Sequence, residues 1–437
     1  MTGSQEAAKW FYMRAIRVFL IGLFISVSLA SATSSALPNL QTLAPALKNP
    51  DTSLLDIYSA ALKNLDTQFV LSNDGTVYVS TGDIHAEWLR DSSVQTRAYL
   101  LFAAANADAA ALVKGVVLRQ ARSIAIDPYA NAFYENYSVH ERKYELDSLV
   151  NPILLAWTYW KITKDASIFA PEVWAGFKVA LSTLQTEQDH ERRSTYSDPR
   201  LSGNPSVRNG MIWSGFRPSD DRCQFNYNIP ANAMAAQGLH ALAEVASVVF
   251  NDTVTETAAS KLESEVREAI QKYGIARTKD GEVVFAYEVD GLGHALVADD
   301  ANLPSLLSLP YYGFVSANDP LYVTTRNRLL SAKNPYYFSG TLLRGIGSPH
   351  TPKNMVWPLG LISEALTSTT VAGFDSALKN LVDSNFGGSG LHESVNVDDS
   401  SKFTRADFGW PNAMFVEMAL TRWNGLPELP RVTSSAQ

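Results

Sequence analysis

Acidic residues beside aromatic rings recur along this chain, and the densest instance is Trp213-Ser-Gly-Phe-Arg-Pro-Ser-Asp-Asp221. Pro218 and Gly215 keep that stretch out of a helix interior, so its two neighbouring carboxylates belong to a loop. A carboxyl group against aromatic surface can hold its proton to higher pH and act as a general acid, while capping of the helix that starts near Pro230 is the competing use. Other loops share the composition: Asp83 to Asp91 with His85, Glu87, Trp88 and Arg90; His140 to Asp147 with Glu145; Glu288 to His294; Asp299-Asp300; Arg344 to His350; Gly390-Leu-His392-Glu393-Ser394; and Arg405 to Pro411. Mixed donors and acceptors around an aromatic platform suit the hydroxyls and flat faces of a sugar.

Other chemistries fit less well. The seven His residues show no His-Glu-x-x-His or other paired-ligand spacing, so no metal site is expected. Asp299-Asp300 and Asp398-Asp399 lack the spacing of the common calcium loop, and no Gly-x-Ser-x-Gly elbow, Walker loop or dinucleotide fingerprint occurs. Cys223 is the only cysteine, which excludes an intrachain disulfide and reads as a small buried thiol. A formal net charge of −8 argues against a nucleic-acid partner.

Helices must position these loops. Apolar residues recur at helical spacing over Ser53 to Asp66, and comparable stretches follow at Val94–Ala105, Ala109–Ile126, Asp147–Thr163, Pro171–Gln188, Ala231–Phe250, Val254–Lys272, Ala301–Leu309, Leu321–Leu330, Met355–Thr367, Ala372–Asp383 and Pro411–Trp423. Several are apolar on more than one side, as helices packed between helices are. A hairpin over Gly281 to Gly291 and a short strand within Thr76–Thr81 are the β content expected. About a dozen helices with long polar loops and no polar linker between Ser53 and Leu426 predict one all-α domain, an (α/α)6 toroid over residues 53–426 with its long loops over one face. Residues 33–52 read as a linker or N-terminal arm and 427–437 as a C-terminal tail.

Lys9, Arg14 and Arg17 precede an apolar run from Val18 to Ala30, and Ala30-Ser-Ala32 fits a small-x-small cleavage pattern. Residues 1–32 therefore read as a secretory signal peptide, with an uncleaved signal anchor as the alternative. Secretion, with no stable membrane association after cleavage, is the expectation. Asn136-Tyr-Ser138 and Asn251-Asp-Thr253 would then be glycan acceptors.

Tyr144-Glu-Leu-Asp147, Trp88-Leu-Arg-Asp-Ser92, Trp213 to Asp221, Met355-Val-Trp-Pro-Leu359, Leu391-His-Glu-Ser394 and Phe408-Gly-Trp-Pro-Asn412 together resemble the motifs of glycoside hydrolase family 125. The resemblance runs from about Ser53 to Trp423. It implies an exo-acting α-1,6-mannosidase, inverting and independent of metal or any cofactor, acting on a mannose-containing glycan. It places the general acid in Arg-Pro-Ser-Asp-Asp and makes Glu393 the general base. Adjacent side chains of an extended loop point apart, so one of the two aspartates faces the bond; Asp220 is taken as the acid, with Asp221 left to bind a hydroxyl or hold Arg222. Trp88, Arg90 and Asp91 would grip the terminal mannose, and His392 would orient Glu393 or a sugar hydroxyl. Glu145, His294, Arg344, His350 and Trp357 complete the expected substrate contacts. Another (α/α)6 exo-glycosidase, such as an α-glucosidase, and a non-catalytic glycan-binding protein are the alternatives.

Overall fold

The computed structural model describes residues 37–201, 205–385, 387 and 390–433. The expected signal peptide, the first residues of the arm and Gly388-Ser389 of the glycine-rich approach to Glu393 lie outside the described residues.

Besides single turns at Leu40–Leu43 and His190–Arg193, eleven α-helices are present among the described residues: α1 Thr52–Asp66, α2 Leu89–Ala103, α3 Ala107–Ile126, α4 Leu146–Thr163, α5 Pro171–Glu187, α6 Ile229–Val245, α7 Thr253–Tyr273, α8 Pro320–Leu329, α9 Pro358–Leu366, α10 Val371–Asp383 and α11 Gly409–Asn424. They sort by sequence into two kinds. Helices α1, α7 and α10 are amphipathic and bury one stripe. Helices α2, α4, α6, α9 and α11 are buried almost all round. These form the inner layer: α9 packs on α11, α11 on α2, α2 on α4 and α4 on α6, while α1, α3, α7 and α10 lie against the outer sides of α11, α2, α6 and α9. The α6 run to Phe250 is long and apolar enough to cross a membrane, yet here it is a core helix.

Between α6 and α9 the inner layer is completed by a non-helical segment. Ala301–Leu309, expected to be a helix, is a series of turns. Its backbone donors are satisfied otherwise: the Asp299 carboxylate accepts from the N–H groups of Leu306 and Leu307 at 2.8 and 2.9 Å, and Ser305 and Ser308 bond each other's backbone. Short-range side-chain acceptors of this kind compete with helix formation, and Pro304 removes one donor. The segment still fills the gap. Leu303, Leu306, Leu307 and Leu309 are buried, the Tyr312 carbonyl accepts from Gln237 of α6, and Ala301 packs against Gly360 of α9.

The strands are short and sit in the connections. The expected Gly281–Gly291 hairpin is divided between two sheets. Val283–Phe285 pairs back with Ile275–Arg277, whereas Glu288–Val289 pairs with Tyr227–Asn228 and Ala295–Leu296. The turn falls at Gly281, φ +90°, so alternation in sequence marked strands but not their partner. Met355–Val356, expected to open a helix, is a strand paired to Val395–Asn396, and α9 begins after it at Pro358, whose fixed φ suits a first helical position. The arm before α1 is tied down by the Asp66 carboxylate, which accepts from Leu40 N–H at 2.6 Å. The tail is packed too, with Leu429 and Val432 buried.

The inner helices start at one end. Arg90 and Asp91 open α2, Glu145 and Asp147 flank the start of α4, Trp357 precedes α9 and Trp410 opens α11. The starts of α2, α9 and α11 and the loops beside them enclose a cavity.

Candidate active site

That cavity, about 190 Å³, is lined by Thr81, Ile84, Trp88, Arg90, Asp91, Pro218, Ser219, Asp220, Asn302, His350, Trp357, Glu393, Arg405, Phe408 and Trp410. The positive ends of helices α2 and α11 face a group rich in carboxylates, an arrangement that favours anions.

Asp220 comes from a tight loop. Arg217 N–H donates to the Asp221 carbonyl at 2.7 Å and Asp220 N–H to the Arg217 carbonyl at 2.9 Å, and Asp220 itself takes φ +64°. A left-handed Asp is uncommon and here it turns a side chain into the cavity. The loop is anchored by Arg217, whose Nε donates to Glu288 Oε1 at 2.6 Å in a buried ion pair, and by Gln224 and Phe225 N–H groups on Glu288 Oε2. Asp221 turns away: its carboxylate meets Ser219 Oγ at 3.2 Å and His350 Nδ1 at 3.3 Å, and it does not line the cavity.

Behind Asp220 lies a buried cluster. Arg90 donates from Nη1 to Glu145 Oε2 at 2.7 Å and from Nη2 to Asp220 Oδ1 at 3.4 Å, with Asp91 and Asp147 at 3.3 and 3.6 Å. Asn131 Nδ2 reaches both Glu145 Oε1, at 3.2 Å, and Asp220 Oδ1, at 3.3 Å. The Glu145 side chain is fully enclosed, while that of Asp220 is 18% exposed. Burial, followed by the adjacent Asp220 charge, raises the Glu145 carboxyl well above its usual range despite Arg90. Burial also works to raise Asp220, but its hydrogen bond with Glu145 and the charges of Arg90, Lys143 and His350 outweigh it and hold Asp220 below the usual range. The two carboxyls titrate as a pair, Glu145 pushed up by its burial and Asp220 held down by the charges around it. Asp91 is raised by burial, against Arg90.

Glu393 enters from the far end of the sequence. Its N–H donates to the Thr404 carbonyl at 3.2 Å just before the strand Ser394–Asn396, and its side chain is 3.9 Å from Arg405. Arg405, at φ +45°, is fixed by Asp83 and by the Thr81 carbonyl and stacks on Phe408 at 4.4 Å. The flat faces come from three indoles: Trp88, Trp357, whose Nε1 donates to Thr351 Oγ1, and Trp410, under the Arg90 guanidinium at 4.9 Å. His350 is raised by its hydrogen bond to Asp221 against partial burial, with Asp220 and Glu393 adding to the effect.

Of the residues expected from sequence, Trp88, Arg90, Asp91, Asp220, His350, Trp357 and Glu393 line this cavity, and Glu145 and Asp221 contact residues that do. His392 is buried next to Glu393 and stacks on Phe403 at 3.7 Å, where burial lowers its pKa. His294 and Arg344 are elsewhere. His294 is 70% exposed, pairing with Asp290 four residues back and stacking on Phe225. Arg344 lies on a two-stranded ribbon and donates to Ser376 of α10. Neither lines the cavity. Asn302, Arg405, Phe408 and Trp410 line the cavity without having been singled out individually. The Arg405–Pro411 loop had the composition, but Asn302 lay in a stretch read as helix.

A ring of buried helices with a carboxylate-, arginine- and indole-lined cavity at its N-terminal ends defines an (α/α)6 glycosidase. The profile of the metal-independent alpha-mannosidase family, GH125, matches residues 51–420. The chain belongs to that family. It is 37% identical to the meiotically up-regulated gene 157 protein of Schizosaccharomyces pombe over 83% of this chain and 80% of that one. It superposes with a TM-score of 0.82 and 36% identity, over 85% of this chain and 94% of the other, on a metal-independent alpha-mannosidase of Streptococcus pneumoniae in a non-productive complex with alpha-1,6-mannobiose. A glucoamylase of Hormoconis resinae shares the fold at 13% identity and a TM-score of 0.59, over 88% of this chain and 77% of that one.

Proposed function

We propose that this α-mannosidase is exo-acting and inverting, that it releases terminal non-reducing α-1,6-linked mannose, and that Asp220 is its general acid and Glu393 its general base. The observation that carries the assignment is that these two carboxylates, far apart in sequence, line one small cavity walled by three indoles. A cavity this size, enclosed by loops, suits one terminal sugar ring better than the interior of a chain. The linkage is taken from the mannobiose bound by the pneumococcal relative.

In inversion, the acid protonates the leaving glycosidic oxygen while the base takes a proton from a water attacking the opposite face of the ring. Arg90 and Asp91 offer a donor and an acceptor for adjacent ring hydroxyls, and the indoles exclude bulk water. Asp220 draws its proton through the buried Glu145, whose carboxyl is raised, as the glycosidic oxygen approaches. The proton later lost by Glu393 to solvent balances the one supplied to the leaving group. The apolar run and cleavage pattern at the N-terminus support a secretory route for the enzyme.

The test is to offer α-1,6-, α-1,2- and α-1,3-linked mannobiose and follow release by NMR. β-Mannose appearing first, from the α-1,6 isomer in preference, is the expected result. α-Mannose as the initial product would overturn inversion, and equal turnover of the isomers would overturn the linkage assignment.

A further inference from the structure

A second and larger recess, about 740 Å³, stands against the catalytic cavity with only one layer of chain between them. The wall is the Ser80–His85 loop with Arg405–Phe408. Thr81, Ile84, Arg405 and Phe408 face the cavity, whereas Gly82, His85 and Asp407 line the recess. Gly82 bridges to Phe408 at φ +101°, and a Cβ there would run into the Asp407 carbonyl, so the wall is as thin as backbone packing allows. It is also rigid: Asp407 accepts from Gln68 at 3.0 Å and from Asn64, and Arg405 ties it to Asp83.

The lining is chemically mixed. Tyr134 is 43% exposed and stands among Glu135, Asn136, His85, Gln68 and Asp407. An aromatic series links it to the cavity, for the Tyr134 ring is edge-on to His140 at 4.8 Å and His140 is edge-on to Trp88 at 5.2 Å. A flat, half-exposed phenol ringed by carboxylate, amide and imidazole groups fits a pyranose, whose C–H face stacks while its hydroxyls donate and accept. The volume lies within the range of small-molecule sites and exceeds that of the cavity several-fold.

We infer that this recess is a second carbohydrate site, which holds a remote mannose branch of the same glycan whose terminal residue occupies the cavity. The inference rests on the mannosidase reading, and it makes the enzyme selective for branched oligomannose over isolated disaccharide.

The experiment compares the full chain with Tyr134→Ala and His85→Ala on α-1,6-mannobiose and on a branched oligomannose glycan. Expected is unchanged kcat/KM on mannobiose in both variants, which also reports an intact fold, and KM on the branched glycan raised about tenfold, the scale of one stacking contact with its hydrogen bonds. Equal effects on both substrates, or none on the branched one, would overturn the inference. If the wild-type chain turns over neither substrate, the mannosidase reading fails on its own. Calorimetric titration with the branched glycan then decides, since affinity lost in Tyr134→Ala upholds the site and unchanged affinity sinks it. An intact mass showing a covalent glycan on Asn136, which lines the recess, would assign the space to the chain's own sugar and likewise overturn the proposal.

Discussion

Asp220, the proposed general acid, must carry a proton, yet it stands beside Arg90 and near Lys143 and His350, all of which favour its anion. In the proposed mechanism Glu145 answers that demand, because burial raises its carboxyl beside Asp220. In Glu145→Gln the amide can still fill the site but has no proton to share, and Asp220 is left alone with the cations. The alkaline limb of the kcat/KM–pH profile should therefore move to lower pH; an unmoved limb would mean that the acid does not draw on Glu145. Asp220→Asn and Glu393→Gln should each lower kcat by about 10²–10⁴-fold, the usual worth of a positioned acid or base. The two separate with an aryl mannoside whose leaving group needs little protonation: it should restore much of the rate to Asp220→Asn and none to Glu393→Gln. The Asp220 loop was legible because Gly215, Pro218 and paired aspartates exclude a helix. The roles of Asn131 and Lys143 were not, since they depend on the residue-131 and residue-220 segments meeting across 89 positions of sequence.

The strand Glu87–Trp88, which delivers α2 and the cavity's first indole, is secured from one side by a single residue of α3. Arg119 donates to Glu87 Oε2 at 2.6 Å and to the carbonyls of Tyr134 and Glu135, and lies between the rings of Tyr78 and Tyr137 at 4.9 and 4.2 Å. Arg119→Leu strands a buried carboxylate and should cost about 3–5 kcal/mol, read by denaturant unfolding. The loss should also depend on pH. Burial already raises Glu87 to about 7 against Arg119, and without the arginine it rises further. A carboxyl whose folded pKa lies above its unfolded value loses stability as pH climbs between the two. The variant should thus suffer less at pH 5 than at pH 8, and Arg119→Leu combined with Glu87→Gln should recover part of the deficit at pH 8. A pH-independent loss would point to packing alone. At this scale sequence periodicity reveals helices through their buried faces, and it fails where side chains satisfy the backbone instead, as Asp299, Ser305 and Ser308 do around Leu306. Strand pairing was hidden for a related reason: alternation marks which residues are extended but not which distant strand accepts them.

The whole ring must close on five inner helices and one irregular segment, and the tail contributes to that closure. Val432 is buried and its carbonyl accepts from Gln237 of α6 at 2.7 Å; Arg431 reaches the Pro310 carbonyl and lies over Tyr311 at 5.9 Å; Leu429 is 6% exposed. These residues cover the Tyr311–Tyr312 end of the segment that replaces a sixth inner helix, beside Arg97, two turns along α2 from Arg90 and about 10 Å from it at the helical rise. A chain ending at Glu428 would expose the facing apolar surface and remove one of the two carbonyls that accept from Gln237. Two apolar side chains at about 1.5–3 kcal/mol each make the expected loss about 3–6 kcal/mol. With unfolding entropy of about 2.1 cal/mol/K per residue, that is a Tm lower by roughly 3–7 °C for a domain of this size. The truncation removes no cavity residue, so kcat/KM on mannobiose at 25 °C should match the full chain. An unchanged Tm would show that the ring is sealed by its helices without the tail, and a fall in kcat/KM at equal folded fraction would show that closure at this end is felt in the cavity that Asp220 and Glu393 line.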